Sequence, residues 1–110
     1  MPKFLYKAKL SEHGIKGTLD EGGSARRAAV SKSAEGVGGN VEAFYYALGD
    51  VDAYVIVDLP SEAHAVAFAA AVGVSGTGSV ETVALIEPET MDEVAKIHTD
   101  YRAPGEVASH

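Results

Sequence analysis

Three groups of side chains in this 110-residue chain have the types and spacing to do chemistry. The first is Gly23-Ser24-Ala25-Arg26-Arg27. If Ser24 caps a helix here, the first turn presents free backbone N–H groups and a partial positive charge. The guanidinium groups of Arg26 and Arg27 would add forked donors. Such a corner suits a phosphate or a carboxylate. The competing reading is an ordinary helix start whose arginines are solvated or paired with acids. The second group is the lysine-bearing face of residues 3–10, with Lys7 and Lys9 alternating against Phe4, Tyr6 and Ala8. A desolvated lysine loses basicity and can serve as a general base or an anion clamp. Pairing with Glu42, Asp58, Glu81 or Glu87 on neighbouring strands is the competing reading. The third group is Tyr6, Tyr45, Tyr46 and Tyr54, whose phenols could orient a polar ligand or act as acids. Tyrosine also packs well in a sheet without any such role.

Other chemistries have less support. His13, His64 and His98 fall on three separate segments, and His110 ends the chain. No pair has the spacing of a helical metal motif, and no Gly-x-Gly-x-x-Gly, phosphate-loop or Gly-x-Ser-x-Gly pattern occurs. Asp50 and Asp52 read as turn residues bonded to their local backbone. No metal and no cofactor is expected. Without cysteine there is no thiolate nucleophile, disulfide or cysteine-ligated metal. The net charge of −7 is the wrong sign for sequence-independent nucleic-acid binding, which needs a basic surface. No apolar run approaches the roughly 20 residues that span a bilayer. A cytoplasmic location is the expectation.

The elements that must position these groups follow from periodicity and punctuation. Residues 3–10 alternate as a strand. Ser11 caps a short helix to about Leu19, and a second helix runs from Ser24 to Val37, stopped by Gly38-Gly39. The stretch around which the chain is organised comes next. Residues 41–48 form a strand with faces Val41, Ala43, Tyr45, Ala47 and Glu42, Phe44, Tyr46, Leu48. Gly49-Asp50-Val51-Asp52 turns the chain, and residues 53–59 return as a third strand ended by Pro60. Ser61 caps an alanine-rich helix to about Val72, with Ala65, Phe68, Ala69 and Val72 on one stripe. Residues 73–78 read as a glycine-rich mobile loop, 79–86 as a fourth strand and 89–98 as a last helix, with Pro88 opening it. Residues 1–101 then form one domain and 102–110 a frayed tail.

The order β-α-β-β-α-β predicts an α+β, ferredoxin-like sheet with helices on one face. Because the second and third strands are apolar on both sides, the open face calls for a cover. A second copy packed sheet to sheet, giving a dimeric α+β barrel, is the expected cover. The terminal helix folded across the open face is the competing one.

The same segments, taken in order, resemble the GYD domain family of small bacterial proteins. The matching pieces are Met1-Pro2-Lys3-Phe4, Gly14-Ile15-Lys16-Gly17, Gly22-Gly23-Ser24-Ala25-Arg26-Arg27, Gly38-Gly39, Ala43-Phe44-Tyr45 and Gly49-Asp50-Val51-Asp52. The family's name refers to a Gly, a Tyr and an Asp in the hairpin. Gly49 and Asp52 fit, whereas Val51 stands where the tyrosine is expected, with Tyr54 three residues on. The resemblance implies a dimeric α/β-barrel type of fold and no particular reaction.

Three functions are compatible with this reading. The first is a homo-oligomer, at least a homodimer, that binds an anionic or aromatic metabolite in a pocket lined by Lys7, Tyr46 and Tyr54, with Ser24, Arg26 and Arg27 as a further anion site. The second is a cofactor-independent enzyme of monooxygenase or isomerase type, by analogy of fold. The third is a structural oligomer with a dry interface.

Overall fold

The computed structural model describes residues 1–106. Strands β1 (Lys3–Leu10), β2 (Asn40–Tyr46), β3 (Ala53–Asp58) and β4 (Gly78–Leu85) form one four-stranded sheet in the order β2-β3-β1-β4. All three neighbouring pairs are antiparallel. Helices α1 (Glu12–Glu21), α2 (Gly23–Gly36) and α3 (Glu62–Val74) complete the β-α-β-β-α-β order, and α4 (Pro88–Val94) follows β4. The fold is α+β and ferredoxin-like, with β1 and β3 central.

The helices cover one sheet face. Phe4, Tyr6, Val55 and Val57 point into that side and meet Ala34 of α2 and Ala65 of α3, with Leu59 closing the far end. Alanine at both helix contacts lets the helix backbones approach the sheet closely. Phe68, Ala69, Val41, Phe44 and Val80 pack round this centre. The fully buried core is small: among the described residues only Val57 and Leu59 are large side chains that are wholly enclosed.

Helix α1 begins as expected, with the Ser11 hydroxyl accepting the Gly14 N–H at 3.0 Å. Gly14 is required there, because a Cβ would collide with the Thr77 carbonyl. Ser61 caps α3 in the same way. The expected Ser24 cap is corrected. Gly22 alone separates α1 from α2, at φ 97, and takes the N-cap position of α2, so Ser24 lies inside the helix. A one-residue joint between two helices needs that left-handed backbone, which only glycine adopts cheaply.

Three further features differ. Helix α3 runs on to Val74, so little of the expected loop at 73–78 is left. Helix α4 ends at Val94, leaving His98 in irregular chain. The faces of β2 also differ, because the register shifts between Val41 and Ala43. Glu42 is the extra residue of a bulge. Val41 pairs with Val57, and past the bulge Phe44 pairs with Val55 and Tyr46 with Ala53. Val41, Phe44 and Tyr46 therefore share the helix side, while Ala43 and Tyr45 turn to the open side.

The open face carries Leu5, Lys7 and Lys9 of β1, Tyr54 and Ile56 of β3, and Glu81 and Val83 of β4, none of them fully buried. At one corner Lys3 bridges Asp58 at 2.8 Å and Glu42 at 2.7 Å. These two carboxylates hold its ammonium above the ordinary lysine range, the Asp58 bond most strongly. From Ile86 to Glu106 every residue except Ala103 is exposed, and this arm makes the molecule 64 Å long against 30 and 23 Å. Among the described residues no helix is long and apolar enough to cross a membrane.

Candidate functional site

The strongest site lies between helices and sheet. A cavity of ≈ 100 Å³ has Tyr6, Ala8 and Val55 as its floor, Phe68 and Val72 of α3 and Val30 of α2 as its roof, and Phe44 at its side. Ala8, the small residue among those of β1 that line it, leaves room where a larger side chain would take up the space. Tyr6 stacks on Phe68 with centroids 5.6 Å apart and planes at 19°. Its hydroxyl donates to the Ala65 carbonyl at 2.6 Å. Burial pushes that phenol up to about 12, so it stays protonated at neutral pH.

The other polar lining groups are also engaged. Thr18 donates to the Gly14 carbonyl at 2.8 Å, and Thr77 shares a 2.8 Å bond with Ser75. Arg26 brings the one charge in the lining. Its ion pair with Glu21 is long, 3.4 Å, and both side chains are partly exposed. Most of its five donors thus have no partner among the described residues.

Beside this cavity is a second recess of ≈ 210 Å³, bounded by Gly23, Ser24, Arg27, Phe44 and Tyr46. Phe44 and Tyr46 form the common wall, meeting edge to face at 5.2 Å and 62°. The Tyr46 hydroxyl donates to the Gly23 carbonyl at 3.3 Å. Its ring lies so close to the start of α2 that a Cβ on Gly23 would approach it to 3.0 Å. Partial burial raises the Tyr46 phenol, while Arg26 nearby lowers it and Glu21 raises it.

The structure thus regroups the expected site residues. Ser24, Arg26, Arg27 and Tyr46 come together on the helix side. Lys7 and Tyr54, register partners across β1 and β3, lie on the opposite side of the sheet. A single pocket holding Lys7, Tyr46 and Tyr54 does not form, because the bulge at Glu42 assigns Tyr46 to the covered face. Lys7 is 3.5 Å from Glu81, within the competing reading of a cross-strand pair. Tyr6 was among the candidate phenols, whereas Phe44, Phe68 and Thr18 of the cavity lining were not recognisable as a site from sequence. The one available signal was a small residue, Ala8, following Phe4 and Tyr6 on the same face of β1.

Among the described residues no three His, Cys, Asp or Glu side chains gather as a metal site. His64 caps back to Ser61, 2.7 Å from its hydroxyl. His110 lies outside the described residues. In the hairpin, Asp52 bonds well beyond its own turn. Its carboxylate accepts the Leu10 N–H at 2.7 Å, its N–H donates to Ala8 at 2.9 Å, and its carbonyl accepts the Ala47 N–H at 2.8 Å. This aspartate ties the hairpin to the end of β1, beside the cavity, and its role is positional.

No curated protein and no solved structure matches the chain at a significant level. A family model, the GYD domain, matches residues 4–95. Apart from Lys3 at the start of β1, that span takes in all four strands and the Gly49–Asp52 hairpin, one of the six pieces that carry the resemblance, and the chain belongs to the GYD domain family.

Proposed function

We propose that this protein binds a small molecule with an apolar, ring-sized body and an anionic group, and that it works as a homo-oligomer joined through the open sheet face. The observation that carries the binding reading is the aromatic-walled cavity with a single cation, Arg26, in its lining. Pockets of this type pair an apolar body with a few placed polar groups. An apolar cavity of about 150 Å³ accommodates benzene; the ≈ 100 Å³ here is smaller, and the recess that shares the Phe44 and Tyr46 wall would supply the remaining room for a compact ring or branched chain. The anion would lie against Arg26, with Arg27 and Ser24 across Tyr46. Both phenols keep their protons at neutral pH, which favours holding a ligand over abstracting a proton from it.

The oligomer is supported by area. A compact 11.4 kDa monomer exposes about 5,800 Å², and this chain exposes 7829 Å². The excess of about 2,000 Å² compares with about 800 Å² covered per partner in an interface of standard size. On the open face Leu5, Ile56 and Val83 are only partly buried.

Benzoate, titrated by isothermal calorimetry and by amide NMR, tests the site. Binding with shifts at Tyr6, Phe44 and Phe68 is expected. Loss of one charge-assisted hydrogen bond, roughly 1.5–3 kcal/mol, makes Arg26→Gln weaken it at least about tenfold. Shifts confined to surface residues, or equal affinity in the variant, would overturn the reading.

A further inference from the structure

We infer that the C-terminal arm, residues 86–101, docks on a second copy of this chain, with its carboxylates against Lys7 and Lys9 of that copy. This rests in part on the proposed pairing through the open face.

The arm has apolar side chains with nothing to touch. Ile86, Met91, Val94, Ile97 and Tyr101 are all exposed, between 46% and 78%. A run of exposed apolar side chains of this length is a mark of an interaction surface. Its own body is a poor candidate. Only Ile86 and Glu87 separate β4 from α4, and the residue before a proline is confined to extended backbone. Glu87 has φ −67 and ψ 146, and Pro88 fixes the next φ. This stiff link carries α4 outward from the sheet. The radius of gyration is 18.2 Å, where a compact chain of this length has about 13 Å.

Charge selects the surface. The arm holds Glu87, Glu89, Asp92, Glu93 and Asp100 against one lysine, Lys96. Strand β1 has no acid and three lysines on the open face. Lys3 is committed to Asp58 and Glu42. Lys7 has only the 3.5 Å contact with Glu81, and Lys9 has no ion pair among the described residues. The arm leaves at Leu85, beside Lys3, and its own Lys9 lies six residues back along β1, about 20 Å away at strand rise. A two-fold axis between the sheets and across the strands reverses the partner. It brings the Lys7–Lys9 end of the second copy towards the point where the arm departs. Each copy would clasp the other reciprocally, as two-fold interfaces require.

The experiment is sedimentation equilibrium on four forms of the protein. These are the full chain, a chain ended at Glu87, Lys7→Glu/Lys9→Glu, and that pair combined with Glu89→Lys/Glu93→Lys. Circular dichroism checks that each is folded. The inference expects a dimer for the full chain and dissociation constants raised at least about tenfold by truncation. Lysine reversal should weaken the dimer, and reversal of the acids should restore it. An unchanged constant after truncation overturns the arm alone and leaves the open-face pairing standing. Weakening by the lysine reversal with no restoration overturns the seating on Lys7 and Lys9. A full chain that stays monomeric overturns both.

Discussion

The two faces of the sheet are built from the same strands and differ in almost everything else. The covered face is apolar and ringed by aromatics, and it holds the protein's most enclosed residues. The open face mixes Leu5, Ile56 and Val83 with lysines and acids, and its Tyr45 is 71% exposed. The difference teaches that adjacent residues on one strand answer to different demands. Phe4 and Tyr6 serve the folding of one chain, and Lys7 and Tyr54 face whatever lies outside it.

That contrast can be broken by substitution. The largest effect should come from Leu59→Ala, which empties a fully enclosed site at the end of the covered face. A loss of about 2–5 kcal/mol is expected, read from urea unfolding. A loss below about 1 kcal/mol would mean that the covered face does not carry the fold. Asp52→Ala should come next, at about 1–3 kcal/mol, because the Leu10 N–H loses its acceptor. Slower benzoate association or a disordered β1–α1 junction by NMR would accompany it.

Tyr6→Phe sharpens the comparison through pH. Its phenol is raised from 10.0 to about 12, so the folded state favours the protonated form. The associated stability is fully present below pH 10 and is lost as pH rises through 12. The wild type should lose stability across that window more steeply than Tyr6→Phe. At neutral pH the variant should cost about 1 kcal/mol for the bond to Ala65. Parallel pH profiles would contradict the burial argument. The smallest effect on the monomer should come from Tyr54→Ser on the open face, within about 0.5 kcal/mol. Its consequence should appear instead in the dimer constant, and a variant that lowers monomer stability as much as Asp52→Ala would erase the contrast.

Much of the fold was legible because its signals are local. Alternation marked the strands, Ser11 and Ser61 marked helix starts, and the segment order implied the ferredoxin-like sheet. The family was legible from short pieces in sequence. What was hidden depends on distant parts meeting. The bulge at Glu42 lies inside a run that reads as one continuous alternation, and it moved Tyr46 away from Lys7. The cavity is a space left between β1, β3, α2 and α3, and no single segment records a space. The Ser24 cap failed for a different reason: one glycine, Gly22, joins two helices that the pattern separates by a longer break.

The bulge has a further consequence for how such chains diversify. It works as a frameshift within a strand. Removing Glu42 would close the bulge and leave every β2–β3 pair as it is, Val41 opposite Val57 and Ala43 opposite Ile56. Drawing Glu42 into the ladder as a paired residue would instead turn Ala43 and Tyr45 to the cavity and Phe44 and Tyr46 outward. The length of this strand and the facing of its side chains are thus separable: a codon lost at Glu42 keeps the ligand site and the outer surface, whereas pairing Glu42 exchanges them with no change in the side chains themselves. Relatives compared column by column across this strand should therefore be aligned on the bulge before any residue is assigned a role.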